Sequence, residues 1–339
     1  MLNRRTFIAT VALSSLSLPR LAREVKAFAG DPVDPPAPQE QKPTTILICA
    51  IGDLQRTSGA ERNFLSRGEN EVEREKIIKE VASSKPDLLL LLGDQVSDAA
   101  DASEWSYFDG VTKPLRDAGI KTIAVRGNHD YNLQNKRMCD RECNARWPET
   151  RNRPHFYTLG PIAFIGIDSN LDMLDVSEAR GQQSRFVEAL EKFDKDPAIR
   201  GVIVFSHHPP YTNSFLGANQ EMISGYAEPF LKAKKTKLFL CGHVHSYERF
   251  IYNKGEKFFV TSGGGGGPRR TIDVSSSRPF QNDGNTYKLG ELRPFNFVKL
   301  TVTDTEIKGV AMMVQKKGFV AGDKFAVKLH DEQVVAAPN

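Results

Sequence analysis

Five apolar runs in this 339-residue chain end the same way: each breaks at a Gly- or Pro-containing turn that carries Asp, Asn or His. The turns read IGDLQ, LLGDQVSD, RGNHD, FSHHPPY and CGHVH, and they hold five of the seven histidines in the whole sequence. In open α/β sheets ligands gather outside the carboxyl ends of the strands, and glycine there permits tight turns and close backbone approach. Five such ends, spread from Asp53 to His245, predict one shared site assembled from distant segments.

The segments between the turns fit that architecture. TTILICAIGD, DLLLLLGD and KTIAVRGNHD read as strands, separated by a helical pattern over GENEVEREKIIKEVASSKP and a broken helix over EWSYFDGVTKPLRDAG. This alternation implies right-handed crossovers and a largely parallel sheet. The second half adds a hairpin (FYTLGPIAFIGIDSN), an amphipathic helix (GQQSRFVEALEKFDKD), and strands at GVIVFSHHPP, TKLFLCGHVH and KFFVTS. FNFVKLTVTDTEIKGVAMMV reads as a hairpin turned at Asp304 and Thr305. The polar segment RMCDRECNARW reads as a loop, in which Cys139 and Cys143 either remain thiols or form a short disulfide.

The first 29 residues stand apart. Arg4 and Arg5 precede a short apolar run, and Ala27-Phe28-Ala29 supplies small residues for cleavage. This predicts a twin-arginine export signal that engages the Tat machinery and directs a bacterial protein to the periplasm or medium. The segment holds five Lys/Arg and one acid, which accounts for the whole formal charge of +4. The remainder is formally neutral, which argues against a nucleic-acid or membrane-surface partner. A proline-rich linker over 30–45, one large domain over 46–330 and a tail over 331–339 complete the expected organisation.

His243 and His245 lie two apart at a strand mouth, so on extended backbone both rings face one side. With the other four turns they match an ordered motif set. Asp53-Leu54-Gln55, Gly93-Asp94, Gly127-Asn128-His129-Asp130, His207-His208-Pro209 and Gly242-His243-Val244-His245 resemble the calcineurin-like metallophosphoesterase superfamily. GHVHSYER and HHPPYTNS lean toward its purple acid phosphatase branch. The resemblance implies an α/β/β/α sandwich of two mixed sheets. It also implies two metal ions, drawn from Fe, Mn or Zn, that clamp the attacking and leaving oxygens at phosphorus. Asp53, Asp94 and His245 would hold one metal; Asp94, Asn128, His207 and His243 would hold the other. A water between the metals would be the nucleophile, with His129 protonating the leaving group and Asp130 orienting it.

Two positions depart from the family pattern. Gln55 stands where the motif has histidine and offers a weaker carbonyl donor. Ser97 stands where the purple branch has a metal-binding tyrosine, so no purple colour is expected. His208, Tyr211 and Arg269 are the expected substrate contacts, His208 alternatively filling space beside the site. Gly263 to Gly267 is expected to form a flexible rim loop, since it lacks the G-K-[ST] ending of a phosphate cradle, with Arg269 and Arg270 after it in reach of a substrate phosphate. The implied function is hydrolysis of small-molecule phosphate esters, a monoesterase favoured. The alternatives are a phosphodiesterase on the same site and a one-metal, non-catalytic protein that binds phosphorylated ligands.

Overall fold

A computed structural model describes residues 45–331, apart from 66, 132–134 and 285–289. The expected export signal, nearly all of the expected linker and the tail from 332 lie outside the described residues.

The strands are β1 (Ile46–Ile51), β2 (Leu88–Leu92), β3 (Thr122–Val125), β4 (His155–Leu159), β5 (Ile162–Gly166) and β6 (Gly201–Phe205). They continue as β7 (Thr236–Cys241), β8 (Tyr247–Tyr252), β9 (Lys257–Ser262), β10 (Asn296–Val302), β11 (Glu306–Val314) and β12 (Phe319–Lys328). They form two six-stranded mixed sheets, ordered β12-β11-β10-β1-β2-β3 and β4-β5-β6-β7-β9-β8. β1, β2 and β3 run parallel, as do β5, β6, β7 and β9, so both sheets end their parallel strands in carboxyl-terminal turns.

Side-chain alternation sets the layers. β2 is five buried leucines, as expected of a strand covered on both faces. Leu88, Leu90 and Leu92 enter the core between the sheets with Phe164, Phe205 and Leu240. Leu89 and Leu91 point the other way and pack with Ile77, Ile78 and Val81 of the helix Glu71–Ser84. On the opposite flank, Ala163 and Ile165 of β5 pack with Phe186 and Leu190 of the helix Val176–Lys195. The result is the α/β/β/α sandwich, with helices outside two facing sheets.

Several local expectations change. RMCDRECNARW is helical, not a loop: the helix Lys136–Arg146 starts at Asn135, whose side chain accepts from Met138 N at 3.2 Å. Its buried face is Cys139 and Cys143, four residues apart, and two cysteines in a charged stretch do not register as an apolar period. Their thiols are free, with the sulfurs 3.9 Å apart, so the optional disulfide is not formed. Strands β8 and β12 and the helix Gly59–Leu65 also carried no clear periodic signal. β12 is an edge strand, mostly exposed over its first half.

The glycine run is a packed floor rather than a flexible rim. Gly263 to Gly267 are all buried. Their amides are tied down: Gly263 N donates to Ser246 O at 3.0 Å, Gly265 N to Gly52 O at 3.0 Å and Gly267 N to Asp53 O at 2.8 Å. A Cβ at Gly264 would lie 2.1 Å from Asn296 Nδ2, and one at Gly265 would lie 2.4 Å from Gly52 O. The run is glycine because neighbouring backbone, and the side chains of Asn296, Arg74 and His245, approach too closely to leave room for a Cβ.

Candidate metal centre

The carboxyl ends of β1, β2, β3, β6 and β7 meet at one edge of the sandwich. Gly52 N donates to Ser262 O at 2.9 Å, joining the end of β1 to the end of β9 and so one sheet to the other. Asp53, Asp94, His243 and His245 all have left-handed backbone, with φ of 65°, 54°, 71° and 54°. Such a conformation costs on the order of 1–3 kcal/mol at a non-glycine residue and concentrates at functional sites. Four ligand-type residues sharing it in one place point to a constrained centre.

Three ligand atoms converge most tightly. Asn128 Oδ1 lies 2.9 Å from His243 Nδ1 and 3.0 Å from His207 Nε2, and the two ring nitrogens are 3.2 Å apart. His207 Nδ1 sits 2.9 Å from Leu92 O. A carbonyl can only accept, so Nδ1 carries a proton and Nε2 is the nitrogen presented to the cluster. His245 is oriented the same way: Nδ1 donates to Pro268 O at 2.7 Å, which turns the Nε2 lone pair toward Asp53 Oδ1 at 3.2 Å. Asp53, Asp94 and His207 offer ligand atoms within 4.8 Å of one another, as do His207, His208 and His243.

The carboxylates are held by backbone. His243 N donates to both oxygens of Asp53 at 2.9 and 3.0 Å, and His129 N donates to Asp94 Oδ1 at 2.8 Å. Burial alone would raise the Asp94 pKa, but the neighbouring His207 and His129 hold it well below the usual carboxylate range. His208 is pushed down to about 3 by burial and then by His207, so it is a neutral ring. Its Nδ1 meets Ser169 Oγ at 3.0 Å, and Ser169 Oγ also accepts from His208 N at 2.9 Å. Ser169 follows β5 in GIDSN, a sixth strand end of the same polar type that sequence reasoning read only as a hairpin.

Donor chemistry fits metal binding. The cluster mixes carboxylate, amide oxygen and imidazole nitrogen, which suits first-row transition metals. Gln55 Nε2 lies 3.2 Å from Asp94 Oδ2 and 3.2 Å from His245 Nε2, while Oε1 is buried without a hydrogen-bond partner. The amide nitrogen faces both ligand atoms, and turning the amide over would bring the orphaned oxygen there to meet a cation.

Three residues fall elsewhere than expected. Asp130 does not orient His129: its carboxylate accepts from the backbone N–H of Asp94, Gln95, Val96 and Gly127 at 3.1, 3.0, 3.1 and 2.8 Å. It is the staple that fixes the β2 turn against the β3 turn. Tyr211 leaves the site for the outer core of the second sheet, where its ring lies 5.0 Å from Tyr252, 4.9 Å from Phe259 and 5.2 Å from Phe280. Arg269 is exposed, with its guanidinium 4.9 Å over the Phe295 ring. His129 stays half-buried beside Asn128.

Comparison with known proteins gives a consistent picture. The profile of the calcineurin-like phosphoesterase family matches residues 46–247. A protein from Arabidopsis thaliana described as a probable inactive purple acid phosphatase is 33% identical over 107 residues, 30% of this chain and 16% of the relative. A probable cyclic nucleotide phosphodiesterase from Synechococcus sp. is 25% identical over 181 residues, 52% of this chain and 63% of the relative. The chain thus spans less than two thirds of the length of either. A purple acid phosphatase from yellow lupin shares the fold, with a TM-score of 0.60 at 17% identity, over 85% of this chain and 54% of that one.

Proposed function

Since the chain belongs to the calcineurin-like phosphoesterase family, a family of phosphoric ester hydrolases, we propose that it hydrolyses small-molecule phosphate monoesters at a dinuclear metal centre. The observation that carries this is the convergence of Asn128 Oδ1, His207 Nε2 and His243 Nδ1 within 3.2 Å, beside a second cluster of Asp53, Gln55 and His245. Asp94 stands between the two clusters, its Oδ1 3.4 Å from His207 Nε2 and its Oδ2 3.2 Å from Gln55 Nε2.

When bound, a metal pair supplies Lewis acidity that polarises the phosphoryl group and makes a water nucleophilic near neutral pH. The chain does the rest. Asp53, Asp94 and His245 hold one position; Asp94, Asn128, His207 and His243 hold the other. The carbonyls of Leu92 and Pro268 fix the tautomers of two of those histidines. His129, beside Asn128, is the side chain that donates to the departing oxygen. Neutral His208, braced by Ser169, donates or accepts at the ester without adding charge.

The test offers p-nitrophenyl phosphate and bis-p-nitrophenyl phosphate to the full chain loaded with manganese, zinc or iron. Monoester turnover should exceed diester turnover, and Asp94→Asn should cut it by about 10³-fold or more, because that change removes the shared ligand. No turnover with any metal would overturn the reading. The Gln55 amide nitrogen facing two ligand atoms favours a second reading, a one-metal protein that binds phosphorylated ligands without hydrolysis. Metal titration separates the two: two equivalents for the hydrolase, one for the binder.

A further inference from the structure

Arg270, the second arginine after the glycine floor, sits differently from Arg269. It is half-buried, and its Nε is buried without a hydrogen-bond partner. Its guanidinium lies 5.2 Å from the ring of Phe215, a phenylalanine 72% exposed on the loop that follows His207 and His208. Two residues before it, Pro268 O fixes His245, so the backbone that carries Arg270 is anchored to a ligand residue. Burial and then the nearby Arg67 lower its pKa, while the carboxylates of Asp53, Glu61 and Asp94 act against them. Glu61 is already paired with Arg67 at 2.5 Å. Arg270 forms no ion pair within 4.0 Å among the described residues, and its buried Nε is an unused donor on the segment that anchors His245.

We propose that Arg270 is a substrate-binding residue that holds the non-bridging oxygens of a phosphomonoester dianion and makes the centre prefer monoesters over diesters. This rests on the hydrolase reading above. A guanidinium matches two phosphoryl oxygens at once. A monoester presents up to two negative charges and three free oxygens at phosphorus, where a diester presents one charge and two free oxygens, so the monoester offers the fork both more charge and one more acceptor. The stack on Phe215 keeps the fork in place while leaving its N–H edge available.

Calorimetric titration of inorganic phosphate into the manganese-loaded full chain tests the contact without catalysis. Arg270→Ala should weaken phosphate by about 10- to 100-fold, Arg270→Lys should recover only part of that loss, and Arg269→Ala should match the wild type. In turnover, Arg270→Ala should lower monoester kcat/KM by a similar factor and diester kcat/KM by less than about threefold. Phosphate affinity unchanged in Arg270→Ala, or monoester and diester rates falling in parallel, would overturn the assignment and leave the hydrolase reading standing. Phosphate binding that depends on Arg270 in a chain that hydrolyses neither ester would do the reverse.

Discussion

Gln55 sets the character of the centre more than any other single side chain. Its amide nitrogen, not its oxygen, faces Asp94 and His245. Exchanging the two ends of the amide would aim the oxygen at a carboxylate, which is repulsive until a cation lies between them. The substitution Gln55→Glu replaces a neutral donor with an anionic one of the same reach. We expect manganese affinity to rise about tenfold, read by competition with a coloured chelator; unchanged or weaker affinity would mean that position 55 does not approach the metal. Residue types at this scale were readable from the chain, because Asp, Asn and His at strand ends have few other uses. Their partners were not. Asp130 follows His129 in sequence, yet its carboxylate serves four backbone amides, because burial gives a carboxylate a strong demand for N–H donors and the turns supplied them.

Elements fix those residues by close approach. The glycine floor runs against the ends of β1 and β10, where Gly265 N reaches Gly52 O and Asn296 N reaches Gly264 O, each near 3 Å. Gly265→Ala would put a methyl 2.4 Å from a backbone oxygen, and backbone cannot step aside as a side chain can. The expected loss is about 1–3 kcal/mol, measured by urea unfolding, together with weaker metal binding because Gly52 precedes Asp53. Stability equal to wild type would show that the floor yields. Sequence reading took five glycines for flexibility, since composition alone describes the unfolded preference of glycine. The helix Lys136–Arg146 was lost for the opposite reason: its buried face is too small to impose a period.

Across the whole molecule, buried charge couples the site loops to the second sheet. Glu248 on β8 is buried and accepts from Thr212 Oγ1 at 2.5 Å and Asn213 N at 2.8 Å, bracing the loop that leaves His207 and His208. Burial pushes its carboxyl up to about 7 despite those donors. In the unfolded chain a glutamate titrates near about 4.3, so between the two values the folded state binds the extra proton. Its contribution to stability is full at low pH and is lost as pH rises through the folded value. Glu248→Gln should therefore flatten the fall in Tm between about pH 5 and pH 8, followed by calorimetry across that range. A variant with the wild-type slope would place the pH dependence elsewhere.

By itself the sequence determined the two-sided strands, the order of their polar ends and hence the edge at which a site had to form. Those follow from periodicity and residue type, which are local properties of the chain. Tertiary structure decided which neighbours met there: Arg270 on Phe215 and Arg269 on Phe295, Tyr211 in an aromatic core, and Ser169 behind His208. Such contacts join segments far apart in sequence and depend on how two sheets pack and where their loops cross, which no local pattern encodes.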